Sequence, residues 1–109
     1  MKVSFNLRSA GDIRIIEVTG RLTLGDPVTN FRETISTISA EGITKVILNL
    51  QGLAYIDSSG IGELIHTNKL VSIRLINVPK RVADLLRLTN SYSLFDVRQD
   101  EQTALTSLL

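Results

Sequence analysis

From Thr44 to Leu50 the chain reads Thr-Lys-Val-Ile-Leu-Asn-Leu, a short run that is nearly continuous in apolar residues at its centre. A strand with one face in water alternates apolar and polar residues, so an unbroken run of this length describes a strand covered on both faces. Such a strand sits inside a sheet with helices on at least one side. The rest of the chain supplies them, because strand-like and helix-like patterns take turns along it. Alternation of this kind produces a mostly parallel sheet joined by right-handed crossovers. The expected fold class is α/β, with about four helices and an antiparallel edge strand.

The elements follow in order. Val3, Phe5 and Leu7 alternate with Ser4, Asn6 and Arg8, the period of a strand with one buried face. Ala10-Gly11-Asp12 supplies a turn, and Ile13 to Val18 is rich in β-branched residues, so the opening reads as a hairpin that Gly20 ends. Leu22 to Gly25 reads as a connecting loop. Asp26-Pro27 opens a first helix, with Asp as cap and Pro at the first helical position, and Val28, Phe31, Ile35 and Ile38 draw its apolar stripe. Gly42 closes it in the left-handed position past its end. After the Thr44–Leu50 strand, Ile61, Leu64 and Ile65 start a second helix that runs to Asn68. Val71 to Asn77 alternates as a strand. Pro79 introduces a third helix with Val82, Leu85 and Leu86 on its apolar face, Thr89-Asn90-Ser91 breaks it, and Leu94 to Val97 reads as a short strand. Asp100 caps a last helix carrying Ala104, Leu105 and Leu108.

A chain of 109 residues can bury one core, so residues 1–109 are read as one domain. The formal net charge of +1, with Lys and Arg spread along the chain, gives no electrostatic footprint for direct nucleic-acid binding. There is no cysteine, which removes thiol catalysis, disulfides and cysteine metal sites, and fits a reducing compartment. No stretch approaches a membrane span and the N-terminus lacks a signal-peptide core, so the expected location is cytoplasmic.

The least ordinary stretch is Asp57-Ser58-Ser59-Gly60-Ile61-Gly62, which follows the apolar Tyr55-Ile56 and leads into the second helix. A helix entrance needs one capping side chain, and any of the first three residues would serve. Two glycines in or beside a first turn cost roughly 1 kcal/mol apiece against Ala. Either the turn packs closely on the sheet, or a partner approaches the serines closely. In open α/β sheets the functional crevice lies beyond the carboxyl ends of the strands, where this turn would sit. A helix N-terminus also holds phosphate well, whether from a ligand or on a modified serine. From the residues alone, capping with tight packing and a phosphate-handling turn both remain open.

Other chemistries fit less well. Gly60-Ile61-Gly62 lacks the rest of a dinucleotide fingerprint, and no Gly-Lys-Ser/Thr follows it. A hydrolase built on Ser58 and His66 has no Gly-x-Ser-x-Gly elbow, and His66 lies roughly 12 Å further along the helix at 1.5 Å per residue. The single His66 cannot build a histidine metal site, and Asp12, Asp26 and Asp57 show no metal-ligand spacing. No catalytic residue, metal or cofactor is expected. Lys80, Arg81 and Arg87 read as a solvated helix face.

The residues Asp57 to Gly62, preceded by Val46-Ile47-Leu48-Asn49-Leu50 and followed by Lys80-Arg81-Val82 and Leu94-Phe95-Asp96-Val97, resemble the STAS domain of bacterial anti-sigma factor antagonists. Gly20-Arg21-Leu22 is similar to that family's Gly-x-Leu after the second strand. The resemblance covers nearly the whole chain. It implies a partner-switching regulator, not an enzyme: a protein that binds an anti-sigma factor with serine kinase activity, frees a sigma factor for transcription, is released by phosphorylation and is restored by a serine phosphatase. It implies Ser58 as phosphoacceptor, with Ser59 as the alternative, and Asp57, Ser58, Ser59, Gly60, Ile61 and Gly62 as the partner-binding turn. A STAS scaffold or transporter-associated subunit that docks without phosphorylation is the second role the resemblance allows. One departure stands out: the family pattern continues into a longer second helix and a Gly-Gly turn, whereas here Glu63 to Leu70 must complete both.

Overall fold

In a computed structural model that describes residues 2–109, the apolar run forms β3 (Lys45–Asn49) at the centre of a six-stranded sheet. The other elements are β1 (Ser4–Ala10), β2 (Ile13–Leu22), α1 (Asp26–Ala40), β4 (Leu53–Ile56), α2 (Ser58–Leu70), β5 (Ser72–Ile76), α3 (Lys80–Leu88), β6 (Val97–Arg98) and α4 (Glu101–Ser107). The strand order is β1-β2-β3-β5-β6, with β4 paired to β2. β1 and β2 form the antiparallel hairpin, and every other pairing is parallel.

The unbroken run in β3 has a direct explanation. Val46 and Leu48 point into the larger core, where Phe31, Ile35, Ile61, Leu64, Val82 and Leu86 of α1, α2 and α3 meet Ile16, Val18, Ile73 and Leu75 of the sheet. Ile47, between them, points to the opposite face, where Ile13, Ile15 and Ile76 lie under Ala104 of α4 and Leu108 just past its end. Three helices thus cover one face and one short helix covers the other. The C-terminal helix starts as expected, since Asp100 accepts a hydrogen bond from the Thr103 N–H at 2.8 Å. Arg74 of β5 ties it down by donating to the Ser107 hydroxyl at 2.8 Å.

Four local expectations change. Gly20 does not end β2; the strand continues to Leu22 but exchanges partners, from β3 up to Glu17 to β4 from Gly20 onward, with a register shift between Gly20 and Arg21. Gly20 takes φ 101°, and a Cβ there would collide with the Lys2 carbonyl, so the bulge requires glycine. β4 is a separate strand, because the chain turns at Gln51-Gly52 after Leu50 and resumes in the same direction. Asp26 is the first residue of α1 and not its cap; Gly25 holds that position at φ 100° without any side-chain bond. The expected strand at Leu94–Val97 is instead a single tight turn, Tyr92–Leu94, followed by β6 at Val97–Arg98. There the Asp96 carboxylate binds Arg98 and Arg74, and its backbone carbonyl accepts from the Leu75 N–H.

At the hairpin edge, Phe5 stacks obliquely on Phe31 with ring centroids 5.7 Å apart, while Leu7 on the same face stays uncovered. Helix α2 runs two residues beyond Asn68, to Leu70, and passes straight into the extended Val71 without a glycine. The helix thus ends within Glu63–Leu70 as the sequence requires, and the exit falls at Val71.

Candidate functional site

The carboxyl ends of β2 and β4 lie side by side, since Leu22 pairs with Ile56. Each then leads to a helix on the same sheet face: β2 through Thr23–Gly25 to α1, and β4 through Asp57 to α2. The Asp57 side chain joins the two exits. One carboxylate oxygen accepts from the Gly60 N–H at 2.9 Å, capping α2, and the other accepts from the Leu24 N–H at 3.0 Å. Burial by itself would push the Asp57 carboxyl up, but the N–H groups of Leu24, Gly60, Ser59 and Asp57 outweigh it and hold the group below its usual range.

A depressed carboxyl contributes stability above its unfolded-state pKa, and that contribution is lost as pH falls through the lower folded-state value. Asp57→Ala is therefore expected to destabilise the protein by about 1–2 kcal/mol at neutral pH. The difference from wild type should shrink below the ordinary carboxylate range, as read from urea midpoints across an acid series. A difference constant down to strongly acid pH would sink this account of Asp57.

The two glycines behave differently. Gly60 is buried, and a Cβ on it would run into the Leu22 carbonyl oxygen and stand 2.7 Å from Ile56 Cγ1. Its bare backbone lets α2 settle on the β2–β4 pair. A Cβ on Gly62 would meet nothing within 4 Å, and the residue is exposed. Ser58 is exposed as the first residue of α2, Ser59 is half-buried, and Ile61 is in the core. Of the six residues marked by sequence, the outward-facing set is thus Ser58, Ser59 and Gly62. Gly60 and Ile61 shape the turn from beneath.

One turn further on, the Glu63 carboxylate is buried on α2, and Arg32 of α1 donates to both of its oxygens at 3.1 and 2.9 Å. The pair fixes α1 to α2 beside the serine turn. Sequence reading missed it, since the partners stand 31 positions apart and neither belongs to a motif. The Leu24 N–H was equally invisible, because a backbone donor carries no residue signature. His66 is exposed on α2 two turns past Ser58, and the structure does not bring the two together. Among the described residues no group of three His, Cys, Asp or Glu is placed to hold a metal ion, and no helix is long and apolar enough to cross a membrane.

These features define a small α/β domain whose candidate site is an exposed helix entrance and not a cleft. The family model of the STAS domain matches residues 4–104, and the chain belongs to that family. Similar solved structures include anti-sigma factor antagonists. One from Mycobacterium paratuberculosis has a TM-score of 0.82 at 14% identity, with 97% of this chain and 93% of that chain covered. The Bacillus cell-fate determinant SpoIIAA in its phosphorylated form gives 0.71 at 21% identity, covering 97% and 100%. RsbS of Moorella thermoacetica gives 0.76 at 17% identity, covering 95% and 93%. At these identities the likeness is one of fold.

Proposed function

We propose that this protein is an anti-sigma factor antagonist, a cytoplasmic partner-switching regulator built from a single STAS domain across residues 1–109. Its unphosphorylated form binds an anti-sigma factor that is also a serine kinase, so that a sigma factor is released for transcription. Phosphorylation of Ser58 breaks the complex, and a serine phosphatase restores it. The observation that carries this reading is the position of Ser58, exposed at the first residue of a helix whose cap is already supplied by Asp57. Its hydroxyl is spared from capping and stands free for modification.

The electrostatics support a switch. A phosphate adds about −1.5 to −2 charges at neutral pH, here directly beside an Asp57 carboxylate held in its ionised form. On a surface that a partner must desolvate, that charge is costly to bury and repels the partner's own carboxylates. Exposed Gly62 offers a bare backbone patch one helical turn away for close approach.

The test is phosphorylation by the cognate kinase. Wild type and Ser59→Ala should be labelled, Ser58→Ala should not, and Ser58→Asp should bind the kinase at least about tenfold more weakly than wild type, a loss of roughly 1.4 kcal/mol. Labelling that persists in Ser58→Ala, or full-strength binding by Ser58→Asp, would overturn the proposal. A partner bound equally by all four proteins and never labelling any of them would favour the docking scaffold instead.

A further inference from the structure

A concavity lies off the serine turn, between β4 and α3. It is an open groove of about 650 Å³ lined by Tyr55, Lys80, Arg81, Asp84, Leu85 and Leu88. Helix α3 turns Val82, Ala83 and Leu86 into the core, which leaves Leu85 half-buried and Leu88 at 79% exposure on the groove side. An aliphatic side chain this bare, beside an aromatic ring and a second leucine whose other side packs against the core, forms an apolar floor open to solvent.

The rim is cationic. Lys80 and Arg81 belong to the lining, and Arg21 of β2, adjacent to it, lies over the Tyr55 ring with its guanidinium carbon 4.5 Å from the centroid. Asp84 is the one carboxylate in the lining, and it is engaged by Lys80 at 2.7 Å and Arg87 at 3.9 Å. Among the described residues Arg21 and Arg81 stand in no ion pair. A chain with a net charge of only +1 therefore gathers unneutralised cations around this apolar groove. β4 pairs with β2 alone, so no further strand closes the groove on that side.

We propose that this groove is a second protein-docking surface, whose occupant is an acidic segment of a partner that sets apolar side chains on Tyr55, Leu85 and Leu88 and carboxylates against Arg21 and Arg81. Apolar anchors inside a charged rim are the usual anatomy of a specific interface. The carboxylates select sign and speed association, and the leucine floor supplies the burial. The groove acts independently of Ser58 chemistry.

The probe is an amphipathic peptide of Leu and Glu, with a counterpart in which every Glu is replaced by Lys. Each is titrated into the isotope-labelled full chain and followed by backbone amide shifts. The Glu peptide should move the amides of Tyr55, Arg81, Leu85 and Leu88 with weakening at higher salt, and the Lys peptide should not. Arg81→Glu and Leu88→Glu, both at exposed positions and checked for unchanged circular dichroism, should each lower affinity about tenfold or more. Ser58→Ala should bind the peptide as wild type does, so the fate of the phosphorylation reading is read separately. Equal binding of both peptides, shifts centred elsewhere, no binding at millimolar peptide, or a preference for anionic lipid vesicles that Arg81→Glu abolishes while peptide binding stays absent would each overturn the proposal.

Discussion

Gly60→Ala is expected to lower stability by about 2–3 kcal/mol, despite the better helix propensity of alanine, because the added methyl group has nowhere to go. The obstacles are the Leu22 carbonyl and the Ile56 side chain, whose Cγ1 lies 2.7 Å from where the methyl carbon would stand. The carbonyl is backbone at the end of a strand and accepts from the Asp57 N–H at 3.4 Å, so relief requires the helix entrance to lift from the sheet. Lifting it also strains the Asp57 bonds to Gly60 and Leu24. Gly62→Ala is the matched control two residues on. With open space around it, it should follow propensity alone and stabilise by about 0.5–1 kcal/mol. Urea midpoints at neutral pH decide the matter, and equal effects of the two substitutions would refute the division of labour between the glycines.

Arg32→Ala should lower the urea midpoint clearly, an unusual effect for an arginine whose own side chain is 58% exposed. The reason lies in its partner. Glu63 is only 6% exposed, and removing the guanidinium leaves a buried carboxylate without its two charge-assisted hydrogen bonds. Solvent reaching the Arg32 side screens part of the loss, which keeps it below that of a fully enclosed pair. Adding Glu63→Met to Arg32→Ala should recover most of the stability, because the unpaired charge is then gone. If the double variant is as unstable as the sum of the single ones, the pair carries no coupling and the penalty belongs to packing.

Where local chemistry decided an element, the sequence was readable. The unbroken Val46-Ile47-Leu48 run marked the two-faced central strand, the Val28–Ile38 stripe marked α1, Asp100 marked the start of α4, and the start of α2 was narrowed to Asp57, Ser58 or Ser59. Errors gathered where distant contacts decide. Gly20 looked like a terminator because a positive-φ glycine is the same letter whether it ends a strand or bends one, and its actual role depends on Lys2 and Gly52. Asp26 beside Pro27 has the composition of a cap, yet Gly25 takes the position. At the serine turn the identities were plain, but which glycine serves the fold and which lies open is set by Leu22, a strand away. The Arg32–Glu63 pair and the Tyr55 groove arise from elements brought together by the sheet, so no spacing rule could reveal them.

The partner exchange along β2 has a consequence for cooperativity. The strand is held by β3 through five consecutive positions, and after the break at Gly20 by β4 through only three. The segment carrying the serine turn is thus an annex on the central sheet, joined through a bulge and pinned by the Asp57 fork. Local opening in proteins spans free energies up to the global value, and segments held by fewer backbone bonds lie toward its lower end. Order at the helix entrance is therefore set locally, by a handful of bonds, and it can be tightened or loosened while the central strands keep their full protection.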